Sequence, residues 1–155
     1  MIRRISSVLG FASLVALGTP ATAYADSLPA TAGHSYNEAY DSCFYAMPGT
    51  FVVTNICNQP GPLPFVIPLQ SRATGAFTFY ATGTSGPNTT GAGLQCWIVG
   101  EDFYGNAQFS GSSSTVNGQV AFMSLGRYTV SSNSVLYYYC NLPYNAQLYD
   151  VVWNP

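Results

Sequence analysis

The chain has no lysine, four arginines and one histidine, and only 6% of its residues are charged. Phosphate backbones are bound by clusters of Lys and Arg that release counterions. Scattered arginines cannot do this, so nucleic acid is excluded as a partner. Anionic membrane surfaces fall to the same argument. The lone histidine, His34, sits in a small polar stretch and makes a poor base for a serine-type relay, which needs nucleophile, base and acid held together. No Gly-x-Ser-x-Gly elbow is present, and 110–114 is a polar Ser/Gly run. No Cys-x-x-Cys pair occurs, which with a single histidine speaks against a zinc site. Nor does any run reach the roughly twenty apolar residues of a membrane-spanning helix.

What is present begins at the N-terminus. Arg3 and Arg4 precede an uncharged, largely apolar run at 8–18, Thr19-Pro20 breaks it, and Ala23-Tyr24-Ala25 has the small-x-small form of a cleavage site. This is the layout of a secretory signal peptide. Cleavage is expected after Ala25, with export to the periplasm or the medium and no membrane insertion afterwards. The division expected is a signal peptide at 1–25, a loosely ordered stretch at 26–35 and a single domain at 36–155. Without the leader, Arg72 and Arg127 stand against six carboxylates, a net charge of −4. Polarity comes from Ser, Thr, Asn, Gln and Gly, a surface suited to neutral partners read by hydrogen bonds and ring stacking.

From residue 36 onward, short runs rich in Val, Ile, Phe, Tyr and Thr alternate with Gly/Asn/Ser/Pro clusters, the rhythm of an all-β protein. The fold class expected is an antiparallel β-sandwich, Ig-like or jelly-roll-like, of about eight strands. Strands are predicted near 50–57, 64–71, 75–83, 93–101, 106–114, 118–125, 127–131, 134–142 and 146–153. Asn117-Gly118 reads as a two-residue hairpin turn, and Tyr104-Gly105-Asn106 as another. Prolines at 60, 62, 64 and 68 make 55–68 an edge or a connector. A helical turn is expected around Glu38–Ser42.

Four cysteines, Cys43, Cys57, Cys96 and Cys140, imply two disulfides in an exported chain, with three possible pairings. Alternation chooses among them. Leu94, Cys96 and Ile98 share one strand face, as do Leu136, Tyr138, Cys140 and Leu142. A Cys96–Cys140 bridge would staple two core strands and leave Cys43–Cys57 to close a local loop.

The segments Cys96-Trp-Ile-Val-Gly-Glu-Asp-Phe-Tyr-Gly-Asn106 and Tyr138-Tyr-Cys-Asn-Leu-Pro143 resemble a pattern in exported bacterial disulfide-bonded β-sandwich proteins of unknown function. There a cysteine strand runs into a Tyr-Gly-Asn turn and a late Cys-x-Leu-Pro closes the domain. The resemblance covers most of the chain after the leader. It implies the sandwich and the same pairing, and no activity. Most such chains carry Pro directly after the second cysteine, where this one has Asn58.

Six carboxylates offer few catalytic arrangements. A glycoside hydrolase needs two carboxyl groups facing each other about 5–10 Å apart, whereas Glu101 and Asp102 are neighbours whose side chains diverge. Glu38 and Asp41 could share a helical face, but solubility explains them equally. Calcium at Glu101 and Asp102 lacks the Asp-x-Asp-x-Asp-Gly loop. Asn88-Thr89-Thr90 has the form of a glycosylation sequon and reads as loop composition. No catalytic residue, metal or cofactor is assigned. The aromatic residues are the stronger signal: with Cys96 and Cys140 inward, Trp97, Tyr137 and Tyr139 point outward. They are the candidate binding residues, for sugar rings or for a surface protein. The function expected is therefore an exported, non-catalytic binding or structural domain. A small extracytoplasmic hydrolase and a secreted inhibitor or interbacterial factor are the alternatives.

Overall fold

The computed structural model describes residues 26–69, 74–86, 93–102, 104–115, 118–132 and 134–155. The leader at 1–25, Arg72, the sequon at 88–90 and Asn117 lie outside the described residues.

Alternating apolar residues along the strands must bury one face, and two sheets do so against each other. In chain order the strands are β1 (Asp26–Pro29), β2 (His34–Ser35), β3 (Phe44–Ala46), β4 (Val53–Asn55), β5 (Leu63–Leu69), β6 (Gly75–Thr84), β7 (Gln95–Glu101), β8 (Ala107–Ser114), β9 (Val120–Val130), β10 (Val135–Leu142) and β11 (Gln147–Asn154). Sheet A has the order β3-β4-β11-β6-β9, with β1 also paired to β11, and sheet B has the order β2-β5-β10-β7-β8. Every pairing described is antiparallel. The result is an antiparallel β-sandwich with two disulfides, Cys43–Cys57 and Cys96–Cys140. The nine ranges that the alternation predicts fall on the eight strands β4 to β11.

The core forms where the two inner faces meet. Phe65 and Ile67 of β5, Ile98 of β7 and Tyr138 of β10 come from sheet B; Phe79 of β6, Met123 and Leu125 of β9 and Val151 of β11 come from sheet A. Each such side chain contributes roughly 1.5–3 kcal/mol by leaving water. Cys96 and Cys140 are directly paired neighbours on β7 and β10, so their bridge lies on the inner face of sheet B.

Four local expectations are corrected. Residues 26–35 are ordered into β1 and β2: Asp26–Pro29 pairs with Asp150–Trp153 of β11, and His34–Ser35 with Phe65–Val66 of β5. Backbone pairing holds this stretch, with Ala30 buried in the core and Leu28 packed against it. The two strands expected at 118–125 and 127–131 are one strand, β9. An extra residue, Leu125, and Gly126 at φ 106° form a bulge opposite Phe79 and Tyr80. The runs on either side of Asn117-Gly118 are not hairpin partners: β8 pairs with β7 in sheet B and β9 with β6 in sheet A, while Asn117 itself lies outside the described residues. Alternation shows that both runs are strands but not which partner each takes. Finally, β5 is not a free edge throughout, since β2 covers Phe65 and Val66. Its prolines are tolerated because Pro64 turns its carbonyl outward to the Tyr36 N–H at 3.1 Å, so its nitrogen also faces away from β10.

The remaining turns follow expectation. Tyr104-Gly105-Asn106 closes the β7–β8 hairpin with Gly105 at φ 81°, and a 3₁₀ turn spans Glu38–Cys43 with the Asn37 side chain accepting from the Ala39 N–H.

Candidate functional site

Because Cys96 and Cys140 are buried, the period of two along β7 and β10 turns Trp97, Val99 and Glu101, and Tyr137, Tyr139 and Asn141, to the outer face of sheet B. Register then sets these side chains in rows across the strands. One row reads His34, Val66, Tyr139, Trp97, Ser112, from β2 through β5, β10 and β7 to β8. The next reads Pro68, Tyr137, Val99, Ser110. All three aromatic residues singled out in the sequence therefore lie on one face, half-buried by their neighbours.

Trp97 and Tyr139 meet edge to face, with ring centroids 5.7 Å apart and planes at 63°. Tyr36, which the sequence reading missed, adds a third ring. It packs on Tyr139 at 5.6 Å and 77° and keeps 68% of its surface exposed. Edge-to-face contact is a favoured aromatic geometry, so Tyr36, Tyr139 and Trp97 hold one another in place. Tyr36 went unseen because it follows a stretch that composition alone leaves without structure. Its signal, one tyrosine after a two-residue strand, was too short to read.

Beside the rings lies a polar pair. The Tyr137 hydroxyl donates to Glu101 Oε1 at 2.6 Å. Burial, then this hydrogen bond and the charge of Glu101, push the Tyr137 pKa up to about 12. Burial also raises the Tyr139 pKa. Tyr137 lines a cleft of about 380 Å³ with His34, Ser35, Tyr36, Glu38 and Val66. Across the rest of the face, Gln95, Asn141, Ser110, Ser112 and Ser114 offer neutral donors and acceptors.

The other carboxylates go elsewhere. Asp102 turns into its own hairpin, where Oδ1 accepts from the backbone N–H of Tyr104 at 2.9 Å and of Asn106 at 2.8 Å. The Asn106 side chain and backbone are the main cause holding the Asp102 carboxyl below its usual pKa. Glu101 and Asp102 thus diverge, one to the sheet face and one to the turn. Glu38 and Asp41 share the 3₁₀ turn. Among the described residues, no group of three or more His, Cys, Asp or Glu could hold a metal ion.

A second aromatic pair sits on the opposite side of the molecule. Tyr80 and Phe122 stack at 4.6 Å and 25° on the outer face of sheet A, beside exposed Val120. Trp153, by contrast, points into the core and is 8% exposed.

No protein-family model and no curated protein matches this chain. Among solved structures it is similar to the Podospora anserina GH26-CBM35 β-(1,4)-mannanase, at 9% identity and a TM-score of 0.48 over 84% of the chain. It is also similar to TmCBM61 in complex with β-1,4-galactotriose, at 11% identity and a TM-score of 0.45 over 86% of this chain and 88% of that one. The chain spans 27% of the mannanase structure.

Proposed function

We propose that this protein is an exported, non-catalytic binding module that holds a carbohydrate chain against the outer face of sheet B. The observation that carries the reading is the continuous contact of Tyr36, Tyr139 and Trp97, flanked by hydroxyl and amide side chains. Sugar rings present apolar faces rimmed by hydroxyls. Half-buried aromatic rings supply the stacking surface at little cost in side-chain entropy, and the Ser, Asn and Gln positions around them supply hydrogen bonds.

Tryptophan fluorescence during titration with a panel of oligosaccharides and polysaccharides tests it. Trp97 is the reporter at the surface, and Trp153, inside the core, gives a constant background. At least one sugar should change the emission. Trp97→Ala should weaken that binding by about 1–3 kcal/mol, the size of a typical hot spot, with the fold retained. No response across the panel removes the carbohydrate reading.

A second reading, contact with a surface protein, is favoured by the other face. Phe122 is 62% and Val120 65% exposed beside Tyr80, a patch more apolar than hydrogen-bonded sugar recognition needs. Phe122→Ser should then abolish capture of that protein and leave the fluorescence titration unchanged.

A further inference from the structure

Resting on the carbohydrate reading of sheet B, we propose that Glu101 determines the class of sugar accepted, reading the hydroxyl groups of uncharged sugars and turning away uronic acids. The argument starts from the inventory of that face. In the rows beyond the rings, Tyr137 donates its only proton to Glu101 Oε1. That leaves the phenol oxygen and the second carboxylate oxygen as acceptors on the same sheet face. A carboxylate is an acceptor-only group with room for several donors, and sugar hydroxyls are donors. The pair is therefore built for ligands that bring O–H groups.

Among the described residues the same face offers an anion no arginine. Arg127 is the one arginine among the described residues, and it lies on β9 in sheet A, paired with Thr78 on the far side of the sandwich. Glu38 of the 3₁₀ turn lines the cleft beside Tyr137 and Tyr36, and His34 lines the same cleft from β2, three strands away from Glu101 on β7. Glu101 stands four residues along β7 from Trp97, so a uronate chain that runs from the rings over Tyr137 would meet Glu101 without an arginine beside it among the described residues. The repulsion acts through solvent at a half-exposed site, so added salt screens it. Hydrogen bonding to a neutral sugar carries no such dependence.

The test measures affinity for two sets of oligosaccharides of equal length. One set is built of neutral glucose, galactose, mannose or xylose units, the other of galacturonate or glucuronate. Wild type should bind at least one neutral chain and discriminate against the uronates by tenfold or more. Glu101→Gln keeps the side-chain shape and removes the charge. It should weaken the neutral ligand at least fivefold and bring the uronates to within tenfold of it. Tyr137→Phe, which frees the carboxylate, should keep the discrimination. The role of Glu101 falls if wild type accepts uronates as readily as neutral chains. It falls also if Glu101→Gln leaves neutral affinity unchanged or uronates still excluded, and in each of these cases a loss of binding in Trp97→Ala leaves the site itself standing. Absence of binding to every neutral chain overturns the site, and the role of Glu101 with it.

Discussion

Asn55 is wholly buried, yet four of its polar groups are used. Its side-chain amide donates to the Leu142 carbonyl at 2.8 Å and its Oδ1 accepts from the Cys57 N–H at 3.0 Å. Its backbone N–H donates to Ala146 at 3.1 Å, and its carbonyl accepts from Asn145 at 2.8 Å. One side chain thus ties the end of β4 to the passage from β10 into β11. Asn55→Ala should cost about 1–3 kcal/mol, because the buried Leu142 carbonyl and the half-buried Cys57 N–H lose their side-chain partner; the shift in urea midpoint measures it. In the sequence this residue reads as one more turn asparagine. Its role depends on a contact 87 positions away, which no local pattern carries. Tyr138 is a second such case. Fully buried, it donates its hydroxyl to the Val152 carbonyl at 2.9 Å and joins the two sheets through the core. Burial raises its pKa, and the pKa of Tyr137 is raised to about 12. Both groups are neutral when protonated and hold that proton more tightly in the folded state. Their contribution to stability is therefore complete below the ordinary tyrosine pKa of about 10 and is lost as the pH rises beyond it. Urea midpoints taken from pH 8 to 12 should stay level and then fall. Tyr137→Phe should make the fall shallower.

At the scale of elements, alternation gave the faces and missed the partners. The same period of two that buried Cys96 and Cys140 placed Trp97 and Tyr139 outside, so much of the candidate face was legible. The two edge strands β8 and β9 were not. They run in different sheets yet approach closely where Tyr128 donates to the Ser110 carbonyl at 3.3 Å and its ring stacks on Phe109 at 4.6 Å. A Cβ added at Gly111 would run into the Leu125 carbonyl oxygen and the Tyr128 hydroxyl. Gly111→Ala should therefore destabilise by several kcal/mol, as overpacking does when backbone must move. Gly105→Ala, with open space around it, should cost only about 1 kcal/mol for its left-handed backbone. Thermal melts of the two variants separate crowding from conformation. The disulfides rank by a similar comparison. Cys43–Cys57 closes a separation of 14 residues at the base of the β3–β4 hairpin, and Cys96–Cys140 one of 44. The chain-entropy model gives about 3 and about 4 kcal/mol. Replacing both core cysteines by serine should cost more than replacing the outer pair, since hydroxyls would also be placed in a dry core.

For the whole molecule, composition carried the class. Few charges, regular turn clusters and four cysteines led to a disulfide-bonded sandwich, while the switching of successive strands between sheets required three dimensions. The proposed leader predicts that mass spectrometry of the secreted protein finds a chain starting at Asp26; retention of residues 8–18 would end that proposal. The pairing of β1 with β11 has a further consequence. Asp26 stands opposite Trp153, so the two ends of the sandwich lie side by side on one sheet. A short Gly/Ser linker can join Pro155 to Asp26, and the ring can be reopened between Gly49 and Thr50, where Gly49 has open space around it. The new ends then fall inside the hairpin that Cys43–Cys57 clamps. That bridge, a minor local staple in the natural order, would become the covalent clasp of the entire rearranged chain. By loop length its contribution should rise from about 3 to about 5 kcal/mol. Comparing each form with its Cys43→Ser/Cys57→Ser variant in urea would show the same two sulfurs changing in importance solely through the order in which the chain is threaded.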